Sequence, residues 1–244
     1  MKRTMFHNSR GLGAGPGTAA KSAQSGFTLV ELMIALVLGL IVISAVINVY
    51  VGSTRSARFS DGLRAMQENG RHGISVLQRG IRLAGYTPFP NEHFNSLDIL
   101  AASQDSLVVR SRETYDCNGQ PTTDNDGLAV NSYRWIPEDR QIICRGSSAA
   151  ATDMPLIDGV DGFRVLYGID ADGDDFSETY RPYAATLDSR EINTIRFALL
   201  VASDGAIRSR DIEETHTLLD QQYSTNDRVS RRVFTTTVML RNRR

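Results

Sequence analysis

Gly26-Phe27-Thr28-Leu29-Val30-Glu31 leads straight into an apolar run over residues 32–51, and the character of that run decides the fold. Between Phe27 and Val51 the one charge is Glu31, and the next along the chain is Arg55. At ~1.5 Å rise per residue, a helix over these residues spans more than the roughly 30 Å hydrocarbon core of a bilayer. A helix buried in a protein core is the other reading. Such a helix usually keeps a polar face, and this run has none. The expectation is a membrane-spanning helix.

Glu31 is the anomaly within it. An ionised carboxylate costs roughly 3 kcal/mol at the centre of a bilayer on insertion scales, and less near an edge. Lying close to the start of the run, Glu31 can reach the interface and stay solvated. A second reading gives it a cation. If the chain is cut after Gly26, Phe27 carries a free α-amine one helical turn away. That amine can neutralise Glu31 of a neighbouring copy packed with a small axial stagger.

Glycine, phenylalanine and acid at this spacing, heading an apolar helix, resemble the class III signal of type IV pilins and type II secretion pseudopilins. The resemblance implies that a prepilin peptidase cuts between Gly26 and Phe27 and methylates the Phe27 nitrogen. It also implies that Glu31 serves in methylation and in docking subunits into a fibre.

Residues 1–26 carry Lys2, Arg3, Arg10 and Lys21, no acid, and many Gly, Ser and Ala. Such a segment buries too little surface to fold. It reads as a basic targeting leader held on the cytoplasmic side by its charge, with Met5 as an alternative start. Arg55 and Arg58, just past the span, pull weakly the other way, and the pilin-like motif sets the orientation. Gly11, Gly13, Gly15, Gly17 and Lys21-Ser22 do not form a phosphate loop, because the spacing differs from GxxxxGK[ST] and no strand precedes them.

Removing the leader takes away four of 27 basic residues and none of 28 acidic ones, leaving a net charge of −5. Such a balance gives no basic surplus for nucleic acid. Both lysines lie in the leader, so Phe27 holds the one amine of the processed chain.

Beyond Gly52, apolar residues recur at Phe59, Leu63, Met66, Ile74, Leu77, Ile81 and Ala84, with Gly70 keeping the spacing. Arg58, Arg64, Glu68, Arg71, Gln78 and Arg82 fall mostly off that stripe, so the helix is expected to continue with one face on a head. Gly39, Gly52, Gly62, Gly70, Gly73 and Gly80 are expected to weaken it, by ~1 kcal/mol each relative to alanine, giving curvature or local melting. Gly85 and Thr87-Pro88-Phe89-Pro90 end it. From Phe27 to Leu83 the helix would measure roughly 85 Å.

Met66-Gln67-Glu68-Asn69-Gly70-Arg71, Leu77-Gln78-Arg79 and Ile81-Arg82-Leu83-Ala84-Gly85-Tyr86 resemble the QENGR and AGY signature of the PilW family of minor pilins. Val165-Leu166-Tyr167-Gly168-Ile169-Asp170-Ala171-Asp172-Gly173-Asp174 and the terminal Val238-Met239-Leu240-Arg241-Asn242 agree with it. Two departures stand out. Thr87-Pro88 replaces a cysteine common soon after AGY, and the span lacks the proline of many pilins.

Past residue 95, residues 106–112 alternate as a strand, and residues 128–135 and 141–145 flank Pro137-Glu138-Asp139-Arg140 as a hairpin. Phe163, Val165 and Tyr167 share one face, and residues 192–201 and 233–240 are the longest β-prone runs. Residues 121–127 and 203–227 read as loop-rich insertions. The expected fold is α+β: a long N-terminal transmembrane and amphipathic helix packed on an antiparallel β-sheet head, as in type IV pilins. The expected divisions are a cleaved leader at 1–26, a transmembrane assembly helix at 27–52, its periplasmic continuation at 53–86 and a β-rich head at 87–244.

Cys117 and Cys144 are the only cysteines, and in an exported domain two thiols commonly pair. A bridge between them would contribute ~3 kcal/mol. Asp170, Asp172 and Asp174, alternating through Asp170-Ala171-Asp172-Gly173-Asp174-Asp175-Phe176-Ser177-Glu178, are the candidate ligands for a hard cation such as calcium. Asp175 stands at the glycine position of an EF-hand and Arg181 at its bidentate glutamate, so an acidic turn between strands is the other reading. Asp124-Asn125-Asp126-Gly127 reads as a turn. His7, His72, His93 and His216 are scattered, with no HExxH and no GxSxG, so no catalytic site is expected. Trp135 reads as a packing residue.

The resemblance implies a minor pilin of a priming or tip complex in type IV pilus assembly, with adhesion, twitching motility or DNA uptake downstream. Its partners would be the prepilin peptidase, other minor and major pilins and the inner membrane, with the N-terminus cytoplasmic and the head periplasmic. A type II secretion pseudopilin and a signal-anchored periplasmic binding domain are the alternatives.

Overall fold

The computed structural model describes residues 26–89, 91–92, 94, 96–97, 102–122 and 127–242. The leader as far as Ser25 and the Asp124-Asn125-Asp126 turn lie outside them. The chain divides into two compact units, Met1–Val51 and Gly52–Arg244. Helix α1 (Leu29–Leu83) is followed by ten strands: β1 (Ser106–Ser111), β2 (Ala129–Ile136), β3 (Gln141–Arg145), β4 (Met154–Asp158), β5 (Val160–Ile169), β6 (Thr179–Pro182), β7 (Ile192–Ala202), β8 (Ile212–Leu218), β9 (Gln221–Asp227) and β10 (Arg231–Met239).

Within the second unit, α1 buries Met66, Gly70, Gly73, Leu77 and Ile81. Their three-and-four spacing places them on one face, while Arg64, Glu68, Arg71 and Arg82 stay exposed. Phe59, expected on the buried stripe, is instead 41% exposed. The glycines also differ from expectation, since the helix runs unbroken through them. A Cβ on Gly70 would overlap the Phe234 ring, and one on Gly80 would overlap the Tyr133 hydroxyl. At Gly73 a Cβ would lie 2.9 Å from Leu199 Cδ1 and 3.0 Å from Ile157 Cδ1. Side chains from both sheets thus reach the helix backbone where a Cβ is missing, and their packing offsets the propensity lost. Tyr133 reaches Gly80 from β2, and burial, with Glu113 adding to it, pushes its phenol up to about 12.

Gly85 ends the helix with φ of 77°, a left-handed conformation open to glycine at little cost. The Tyr86 N–H donates to Leu83 O at 2.9 Å, and the Gly85 N–H donates to Arg110 O in β1 at 2.7 Å. Asn242 Nδ2 donates to Arg82 O at 3.0 Å, so a C-terminal side chain satisfies a carbonyl left open at the helix end. Ala84-Gly85-Tyr86 and Leu240-Arg241-Asn242, distant in sequence, meet at this joint.

Two four-stranded antiparallel sheets follow, in the orders β1-β2-β3-β4 and β10-β7-β5-β6. The hairpin of β2 and β3 forms around residues 137–140, pairing Ile136 with Gln141 and Ser132 with Arg145. In the second sheet Phe163, Val165 and Tyr167 stand opposite Leu199, Phe197 and Ile195, so all six share the core face. All six are essentially removed from water, and Phe163 meets Phe197 edge-on with centroids 6.4 Å apart. Burying an aromatic or aliphatic side chain of this size stabilises by roughly 1.5–3 kcal/mol.

Residues 203–227, expected as loop, contain the hairpin of β8 and β9. It covers the outer face of the second sheet, where Leu218 packs with Ala198 and Leu200, joined by Leu219, Tyr223 and Val233. Arg164, projecting from that face of β5, donates to both Asp220 oxygens at 2.7 Å. That cover explains why β5 and β7 are buried on both faces.

Arg231 holds the end of β9 to β10. Its guanidinium donates to Asp227 Oδ1 at 2.8 Å and Oδ2 at 2.7 Å, and to Asp161 Oδ2 at 2.6 Å. Hydrogen bonding from Arg231 brings the Asp227 carboxyl down to about 2. A carboxyl lowered on folding adds stability above its unfolded value near 4, and that stability is lost as pH falls from about 4 to about 2. The urea midpoint of the detergent-solubilised chain should therefore fall across that window, and Arg231→Gln should make the fall shallower. An identical pH profile in the variant would contradict this.

Candidate functional site

Thr28 caps α1. The Glu31 N–H donates to Thr28 Oγ1 at 3.2 Å, and the Leu32 N–H donates to Thr28 O at 3.2 Å. Glu31 thus occupies the third helical position, the acidic place in a capping box, where its charge also complements the positive end of the helix dipole. Gly26 and Phe27 precede the helix as an exposed arm, with Phe27 84% exposed. A cut between them would place a new amine directly ahead of the cap.

From Leu29 to Val51 the apolar side chains are exposed all round. By length and composition α1 can cross a membrane, and none of its apolar window is buried in the protein. The span holds two polar residues that the sequence did not single out. Asn48 Nδ2 donates to Ser44 O at 2.9 Å, so the amide is satisfied within its own helix, as a non-aqueous setting requires.

Cys117 and Cys144 are joined in a disulfide with their Cα atoms 6.3 Å apart. Cys144 is a buried residue of β3, and Cys117 lies in the loop after β1. Hydrogen bonds hold the loop on either side of Cys117. Cys117 N–H donates to Asn131 Oδ1 at 2.9 Å, and Asp116 accepts from the N–H groups of Asn118, Gln120 and Ser148 at 2.9, 3.0 and 3.4 Å.

Asp170, Asp172 and Asp174 come together, joined by Glu178, with one carboxylate oxygen of each within 4.8 Å of the others. Asp170 is buried and the other three are exposed. Asp170 Oδ1 accepts from Gly173 N–H at 2.7 Å and its Oδ2 from Asp175 N–H at 3.1 Å. Glu178 accepts from Ala171 N–H at 2.9 Å, and Asp174 from Phe176 N–H at 2.8 Å. These bonds are those of an acidic turn closing on itself. The same oxygens are close enough to share one hard cation, which would use lone pairs the backbone leaves over.

The model of the Prokaryotic N-terminal methylation motif matches residues 21–47, which contain Gly26, Phe27, Glu31 and most of the apolar span. Together with an exposed apolar helix ahead of an antiparallel head, this defines the class as a membrane-anchored, pilin-type protein. The model of Type IV Pilus-assembly protein W matches residues 129–242, from β2 to the Asn242 cap. From β2 to its C-terminal cap the head is thus similar to the PilW family of type IV pilus-assembly proteins. Among solved structures it is similar to the type IV-like pilin TTHA1219 from Thermus thermophilus, at 15% identity and a TM-score of 0.48, covering 76% of this chain and 97% of that one. That likeness is too distant to transfer a role to any residue. No curated protein matches the chain.

Proposed function

We propose that the protein is a minor pilin, cut after Gly26 and methylated at Phe27, that enters a type IV pilus through its N-terminal helix. One observation carries the reading. A capped helix with Glu31 in its first turn presents a long apolar surface that no other described residue covers. Other pilin helices, first in lipid and then in the fibre, are its partners. Glu31 meets the Phe27 amine of a neighbour, so two charges that are each costly in lipid cancel. The N-terminus is cytoplasmic and the head periplasmic until assembly, and the work is structural rather than catalytic.

A priming or tip role, rather than bulk subunit, fits the PilW match over the head. Deleting the protein should abolish or sharply reduce surface pili and leave type II secretion intact. Loss of secretion with pili retained would make it a pseudopilin instead. Both processes unaffected would leave a membrane-anchored periplasmic binding domain.

A further inference from the structure

We propose that Arg55 and Arg58 form a binding site for anionic phospholipid headgroups at the outer end of the membrane span. The proposal rests on the membrane-anchored reading of α1. Residues 32–51 are twenty residues without a charge, and at ~1.5 Å each they fill the roughly 30 Å hydrocarbon core. Glu31 then marks one edge. Arg55 comes four residues after Val51 in the same helix, ~6 Å along its axis, within a headgroup layer of roughly 5–8 Å. The Cα of Arg58 lies beyond that layer at ~10 Å. Helical side chains tilt toward the N-terminus, here toward the bilayer, so its long arm brings the guanidinium back to headgroup level.

The two arginines are three residues apart and neighbours on the helix surface. Around them run Gly52-Ser53-Thr54 and Ser56-Ala57, with no acid between Glu31 and Asp61. Both are exposed, and among the described residues neither has an ion pair or hydrogen bond. Elsewhere in the protein Arg140, Arg164, Arg208 and Arg231 are each paired with a carboxylate. Two uncommitted guanidinium forks at phosphate depth suit the phosphodiester of an anionic lipid. Such a site also accounts for positive charge on the outer side of the span, where the orientation rule offers none. Its consequence is retention at a set depth before assembly, followed by release of lipid when the helix enters the fibre.

The test reconstitutes the full chain in phosphatidylcholine vesicles with spin-labelled phosphatidylglycerol or phosphatidylcholine as probe. The measured quantity is the ratio of the two probes held motionally restricted by the protein. That preference for phosphatidylglycerol should fall roughly fivefold for each arginine removed in R55Q and R58Q. It should persist in R55K/R58K and weaken in 1 M salt. The leader's own bases act at the opposite face and are the same in every variant, so the difference isolates this site. An unchanged preference in R55Q/R58Q overturns the proposal and leaves the membrane anchor standing. No restricted population of either probe overturns both.

Discussion

Glu31→Ala should fail to restore pili to a strain lacking this protein, while its head folds as before. The substitution removes the one charge of the span and replaces it with the strongest helix former, so insertion should be as good or better. Thr28 still caps the helix, because it accepts the backbone N–H of residue 31 rather than its side chain. What is lost is the partner for a neighbour's amine. An unpaired charge in lipid costs roughly 3 kcal/mol, equivalent to a drop in incorporation of about a hundredfold. Immunoblotting of sheared pili measures incorporation. Trp135 reports on the head, since its indole donates to Val160 O at 2.9 Å and packs against the core. Normal incorporation of Glu31→Ala would falsify the electrostatic role assigned here.

Gly85→Val should be the most damaging single change at the helix–head joint, destabilising by roughly 2–5 kcal/mol. Two costs combine. A β-branched side chain at φ of 77° meets the left-handed penalty of roughly 1–2 kcal/mol. Its Cβ would also lie 2.5 Å from the Asn242 carbonyl oxygen and 3.0 Å from Ser96 Cβ, an overpacking that costs about 1–3 kcal/mol. The first obstacle is backbone, which cannot swing aside as a side-chain end can. Gly119 isolates the two costs, because its φ is 71° and nothing lies within 4 Å of a Cβ there. Gly119→Val should therefore lose only the conformational part. Thermal unfolding of the solubilised chain, followed at Trp135, should separate the two variants by several degrees. Equal losses would show that the contact with Asn242 carries no weight.

The helix was legible because its first half is apolar on every side, its second half carries an apolar stripe at three-and-four spacing, and Gly85 marks its end. Strands β1, β2, β3, β7 and β10 were legible for the same kind of reason, as alternating or continuous β-prone runs. The glycines were not, since a helix penalty is local while the Phe234, Tyr133 and Leu199 side chains that fill the gaps come from remote strands. Pro155 inside β4 and the four-residue length of β6 weaken both as strand signals. The hairpin of β8 and β9 reads as loop because its faces are mostly polar and its turn is Leu219-Asp220, without an Asn-Gly or Asp-Gly signal. Leu219 there has φ of 57°, held by packing on the second sheet and by the clamp of Asp220 on Arg164. At the acidic loop, alternate spacing put Asp170, Asp172 and Asp174 together, whereas Glu178 arrives only through the fold of the turn. Gly26, Phe27 and Glu31 stood out because their pattern depends on spacing along one segment, the same segment that the methylation-motif model matches.

The most direct test of the account is the N-terminus of the membrane-extracted protein from cells with an active prepilin peptidase, read by intact mass and terminal sequencing. The expected result is a chain beginning at N-methylated Phe27, with the first 26 residues gone. A retained leader, or a cut elsewhere, would contradict it and leave Glu31 without the amine on which its role depends.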